Sequence, residues 1–94
     1  MILCVNEYQV KPGRMGRLLR ELRKSRVEEE LRKVPGNVSF YFSVPIQEED
    51  TLYLTDSWKD EASFQAHLET KAAARWAALR EEYISESIVR RYQV

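Results

Sequence analysis

The sequence predicts an α+β domain in which helices cover one face of a four-stranded antiparallel sheet, in the order β-α-β-β-α-β with the second helix split in two. Three observations predict it. Strand-like stretches occur at 2–10, 38–44, 51–58 and 88–94. Apolar residues at helical spacing fill the intervals after the first and third of these. Pro12-Gly13, Pro35-Gly36 and Pro45 punctuate the boundaries. This is the ferredoxin-like arrangement.

Ile2 to Val10 is rich in β-formers, and Lys11-Pro12-Gly13 closes it, because proline removes a ladder donor and glycine permits the turn. Met15, Leu18, Leu19 and Leu22 then give an i, i+3, i+4, i+7 stripe, with Arg14, Arg17, Arg20, Arg23 and Lys24 around the remaining circumference as solvated surface. The pattern continues weakly through Val27 and Leu31 to Val34, which predicts one helix ended by Pro35-Gly36. In the second strand Val38, Phe40, Phe42 and Val44 alternate with Ser39, Tyr41 and Ser43. Gln47 to Asp50 is a polar hairpin loop. The third strand, Thr51 to Trp58, places Leu52, Leu54, Asp56 and Trp58 on one face. A helix from Asp60 to Leu68 and a second from Thr70, carrying Ala72, Trp76, Leu79 and Tyr83, follow; Asp60 and Thr70 are suitable N-caps. The last strand alternates Ile88, Arg90, Tyr92 and Val94 with Val89, Arg91 and Gln93. On the sheet face away from the helices, Leu3, Val5, Tyr41, Tyr53 and Val89 make an apolar surface, whose economical cover is a second copy of the chain.

Ninety-four residues suit one domain, burying roughly 60–68% of the surface of the unfolded chain. Fifteen basic and fifteen acidic side chains cancel, so no global field steers the chain toward nucleic acid or an anionic membrane. Apolar runs are too short for a signal peptide or a transmembrane helix, and the expected location is the cytoplasm. The one cysteine, Cys4, has no internal disulfide partner and no nearby metal-ligand set; it reads as an inert buried strand residue.

Chemistry concentrates at Trp58-Lys59-Asp60-Glu61-Ala62-Ser63-Phe64-Gln65-Ala66-His67-Leu68, where a strand ends on an indole and a helix begins that carries the only histidine. Ala62, Phe64 and Leu68 are spaced to turn one side of that helix inward, with His67 nearly on the same side as Phe64. Indole and imidazole are thereby directed at one pocket.

These residues resemble the antibiotic biosynthesis monooxygenase family, whose members are small dimeric α+β barrels. The matching pieces are the opening strand with Val10-Lys11-Pro12-Gly13, then Pro35-Gly36 before an aromatic strand, then Asp56-Ser57-Trp58-Lys59-Asp60-Glu61-Ala62 with His67 beyond. The resemblance spans nearly the whole chain, and it implies fold more strongly than substrate. The first helix is longer than is usual in the family, and Asp56 stands where relatives often carry glutamate. Haem-degrading relatives pair a strand asparagine with a pocket tryptophan and an axial histidine. Asn6 matches the first, but His67 falls at the tryptophan's place, and Trp76-Ala77 stand where the iron ligand belongs, which argues against haem.

The resemblance implies an oxygenase that works without flavin or metal, the substrate itself supplying electrons to molecular oxygen. A phenol or hydroquinone must then be deprotonated, and its anion needs donors. His67, with an ordinary pKa of about 6.5, is the candidate base, Asn6 the oxyanion donor and Asp56 the group that orients or balances the imidazole. Asn6 shares strand parity with Ile2, Cys4, Tyr8 and Val10, on the helix-facing side. Trp58, Phe64, Tyr8 and Trp76 are the candidate substrate-binding aromatics. Structural roles stand beside each of these: His67 satisfying a carbonyl, Asn6 bonded to neighbouring backbone, Asp56 answering an arginine, Trp58 as a core anchor.

The leading function is therefore a cofactor-independent monooxygenase of a small aromatic, quinol or polyketide-like molecule. The alternative is a non-catalytic module that binds or senses such a molecule. An RNA-recognition domain would share the element order, but strand three lacks the basic-Gly-aromatic signature and the net charge is zero.

Overall fold

The computed structural model describes residues 1–94. Its elements are β1 (Ile2–Val10), α1 (Met15–Ser25), α2 (Val27–Leu31), β2 (Asn37–Ser43), β3 (Thr51–Trp58), α3 (Glu61–Leu68), α4 (Lys71–Tyr83) and β4 (Ile84–Gln93). The strands form one antiparallel sheet in the order β2-β3-β1-β4. That is the ferredoxin-like order, with each helical segment crossing between strands that are not neighbours. The split second helix is observed as α3 and α4, capped by Asp60, which accepts from the Ser63 amide at 2.8 Å, and Thr70, which accepts from Ala73 at 3.1 Å. No helix is long and apolar enough to cross a membrane.

The first helix departs from expectation. Arg26 adopts a left-handed conformation (φ 56°, ψ 25°) and divides the continuous helix expected up to Val34 into α1 and α2. The reason lies in the register of the stripe. Leu18 and Leu22 are buried, and a straight helix would next present Ser25, Arg26 and Glu29 to the core. The break rotates the chain so that Val27 and Leu31 turn inward instead, and both are fully buried. Holding a non-glycine residue there costs about 1 kcal/mol, which burial of two branched side chains offsets.

Other details shift too. Val38 and Val44 are exposed rather than inward, because the β2–β3 register slips between Asn37 and Ser39 and β2 ends at Ser43. β4 begins at Ile84, directly from α4. In α3 only His67 is buried; Ala62 and Leu68 are exposed, and Phe64 is partly covered. The open sheet face carries Leu3, Val5, Tyr41 and Tyr53, but not Val89. Val89 pairs with Asn6, so it faces the helices, and Ile88 and Tyr92, opposite Glu7 and Leu3, take its place on the open side.

Gly36 fixes how α3 meets the sheet. Its φ of 87° is open to glycine, and a Cβ there would collide with the Ser63 side chain at the start of α3. Its carbonyl also accepts from the Lys59 amide at 2.9 Å.

Candidate functional site

The helix-facing side of the sheet and α3–α4 enclose a cavity of about 220 Å³. Its floor is built by β1 and β3, because alternate residues of paired strands share a face: Cys4, Asn6 and Tyr8 beside Leu54 and Asp56. Phe64, His67, Trp76 and Arg80 come from the helices above. Space remains between these layers because α4 presents Ala73, Ala74 and Ala77 there, where larger side chains would fill it.

Asp56 is 4% exposed, yet both of its oxygens have donors. Asn6 Nδ2 donates to Oδ1 at 3.1 Å, and Trp58 Nε1 donates to Oδ2 at 2.8 Å. Asn6 Nδ2 donates also to the Leu54 carbonyl at 3.0 Å. Both partners of that amide can only accept, so its NH₂ group faces them and has no hydrogen left for a substrate oxyanion. Burial raises the Asp56 pKa, while the Trp58 hydrogen bond, the nearby His67 and the Asn6 hydrogen bond work against the rise.

His67 stacks on Trp58 with ring centroids 4.2 Å apart and meets Phe64 edge-on at 5.2 Å. Its Nδ1 is hydrogen-bonded to the Phe64 carbonyl. A carbonyl cannot donate, so Nδ1 carries the proton, and Nε2 keeps its lone pair with no partner in the protein. Burial lowers the pKa of the ring; the Phe64 carbonyl and Asp56 oppose that shift. The imidazole is therefore neutral at pH 7 and free to accept a proton.

Asn6, Asp56, His67, Phe64, Tyr8 and Trp76 thus line one cavity. Trp58 does not. It is fully buried behind His67, bonded to Asp56, and supports both rather than walling the pocket. Asp56 bonds to Asn6 and Trp58, not to His67 or an arginine, so it acts on the imidazole only through its field. Cys4 is buried at the cavity floor, its thiol pushed up to about 11 chiefly by burial and next by Asp56, so it stays protonated. No group of three or more His, Cys, Asp and Glu side chains is arranged to hold a metal ion. Arg80 escaped the sequence reading, although its i+4 spacing from Trp76 was a usable signal; it lies over that indole, 5.5 Å from the centroid.

Solved structures share this architecture across nine-tenths or more of their length. A protein from Nitrosomonas europaea, provisionally named an antibiotic biosynthesis monooxygenase, superposes with a TM-score of 0.89 at 19% identity, covering 100% of this chain and 98% of its own. A conserved protein from Methanosarcina mazei gives 0.86 at 22%, over 98% and 90% of the two chains. One from Deinococcus radiodurans, with the same provisional name as the first, gives 0.82 at 14%, over 100% and 92%. At such identities the likeness is one of fold. No curated protein matches the sequence. Membership is carried by the sequence model of the antibiotic biosynthesis monooxygenases, which matches residues 1–79, from β1 into α4 as far as Leu79. The chain belongs to the antibiotic biosynthesis monooxygenase family.

Proposed function

We propose that the protein is a cofactor-independent monooxygenase of a small aromatic or quinol-like substrate, with molecular oxygen as co-substrate and His67 as the base. The observation that carries this reading is the state of His67: a neutral imidazole on the cavity wall, with its proton held on Nδ1 and Nε2 free. His67 takes the proton of a bound hydroquinone, and the resulting imidazolium stabilises the phenolate it has made. The field of Asp56 favours that imidazolium. The anion then reduces oxygen. Hydroquinone plus O₂ gives hydroxyquinone plus water, the ring furnishing every electron, so the balance closes without an external reductant.

Size narrows the substrate. A dry cavity of about 150 Å³ takes up benzene, so 220 Å³ accommodates one ring or a fused pair and is tight for larger polyketides. The open sheet face suits a homodimer, because Tyr41, Ile88 and Tyr92 remain about half exposed beside Leu3 and Val5. Light scattering at micromolar concentration tests that pairing, and a monomer alone would contradict it.

The test of the activity is oxygen uptake by metal-free and flavin-free protein with hydroquinones and anthrones. Uptake above autoxidation that falls at least about tenfold in His67→Gln supports the reading. One observation favours the alternative of a binding module: Asn6 has no free donor for an oxyanion. Ligand binding with oxygen uptake at background would establish that alternative.

A further inference from the structure

At the Tyr8 end of the cavity donors outnumber acceptors, the Tyr8 oxygen being the one acceptor beside the Trp76 N–H and the Arg80 guanidinium. Trp76 is 3% exposed and its Nε1–H is buried without a hydrogen-bond partner. Its indole meets the Tyr8 ring edge-on, with centroids 5.4 Å apart. Arg80 lies over the same indole and enters none of the chain's six ion pairs. All three residues line the cavity. The Asp56 carboxylate does not serve them: it lies opposite Cys4, four residues along β1 from Tyr8, and bonds to Asn6 and Trp58.

A buried indole N–H without a partner has given up its hydrogen bond to water with nothing in return, and a half-buried guanidinium with no counter-charge is uncommon. Both deficits are of the same kind. One acceptor-rich, negatively charged group would remove them together, and planar donors such as guanidinium match a carboxylate in a two-point contact. Resting on the cavity as the substrate site, we propose that Tyr8, Trp76 and Arg80 form a carboxylate subsite, so that the aromatic ligand bears an anionic group at the end away from His67. Polarity of the cavity fixes the orientation. Asp56 pairs with Cys4 across the sheet, and Tyr8 lies four residues further along β1, roughly 13 Å away at the backbone. An anionic group is repelled from the Asp56 end and drawn to Arg80, which leaves the ring hydroxyls beside His67. Burial raises the pKa of the Tyr8 hydroxyl, with the Arg80 charge opposing the rise, so the hydroxyl keeps its proton and can donate it to a ligand.

Calorimetric titration with 2,5-dihydroxybenzoate and with unsubstituted hydroquinone, without oxygen, tests the subsite separately from turnover. Wild type is expected to bind the carboxylate compound about ten- to a hundredfold more tightly. Arg80→Gln should abolish that preference, Tyr8→Phe should reduce it, and His67→Gln should leave it intact. Equal affinities in wild type, absence of binding of the carboxylate compound at millimolar concentration, or a preference that survives Arg80→Gln would overturn the proposal. Preference without oxygen consumption would sink the oxygenase reading and leave the subsite standing.

Discussion

At one end of the cavity Asp56 accepts from both Asn6 and Trp58, while at the other end the Trp76 N–H has no hydrogen-bond partner and Arg80 no ion pair. The first arrangement is a closed network. It holds the wall on which His67 rests and leaves no donor over for a ligand. The second is open, and its groups stay available at some cost to the folded chain. Polar satisfaction thus separates the two ends, although Tyr8 and Trp76 are as deeply buried as Asn6, Asp56 and Trp58.

The contrast breaks most severely at Asp56. Asp56→Ala strands the Asn6 amide and the Trp58 indole together, and urea unfolding should show a loss of about 3 kcal/mol or more. A loss below about 1 kcal/mol would mean that the network is not closed. The two tryptophans give a sharper comparison, because Phe removes the N–H and similar bulk from each. Trp58→Phe should cost about 2–3 kcal/mol, whereas Trp76→Phe should stay below about 1.5, the removal of an unsatisfied donor offsetting part of the lost packing. Similar values would remove the distinction between the two ends.

A smaller effect is expected in pH dependence. Folding favours the neutral form of His67, since burial holds its pKa below the usual 6.5. The unfolded chain therefore binds more protons just below that value, and this contribution is complete above pH 6.5 and lost as pH falls toward the folded pKa. Asp56 runs the other way, because burial raises its carboxyl above 3.8 and the charged form weighs against folding as pH rises from there. The difference between wild type and His67→Gln isolates the histidine. Between about pH 7 and 5, wild type should lose stability relative to the variant; a constant difference would show that the ring titrates alike folded and unfolded. The smallest change belongs to Arg80→Gln, which breaks no ion pair and should move stability by less than about 0.5 kcal/mol. A larger loss would assign Arg80 to the scaffold.

Much of this was legible in the sequence. The four strands, the split second helix and the two caps follow from periodicity and capping chemistry, which are local. The convergence of Asn6, Asp56, His67 and Phe64 was legible as well, since strand parity and helix spacing fix the directions of side chains. What the sequence concealed depends on registers between elements. The break at Arg26 repairs a five-residue step from Leu22 to Val27, visible in retrospect as a stripe out of phase. Val89 was assigned to the wrong face because only pairing with Asn6 decides its side. Trp58 read equally as a pocket wall or a core anchor because spacing gives direction but not depth; the imidazole lies between it and the cavity. The saturation of Asn6 could not be read at all, because its partners come from another strand.

The junction of α4 and β4 has a consequence for how such a chain can diverge. Tyr83 closes the helix, Ile84 opens the strand, and the Tyr83 carbonyl is tied to the Lys11 amide at 2.9 Å, so no loop separates them. Insertions have nowhere to go on that side of the pocket without dragging an edge strand through its register. The segment from Val44 to Asp50, exposed between two strands, absorbs length freely but lies outside the cavity lining. The shape of the cavity is therefore changed most directly by exchange of its lining side chains, above all on α4, where Ala73, Ala74 and Ala77 are the positions that larger side chains would close.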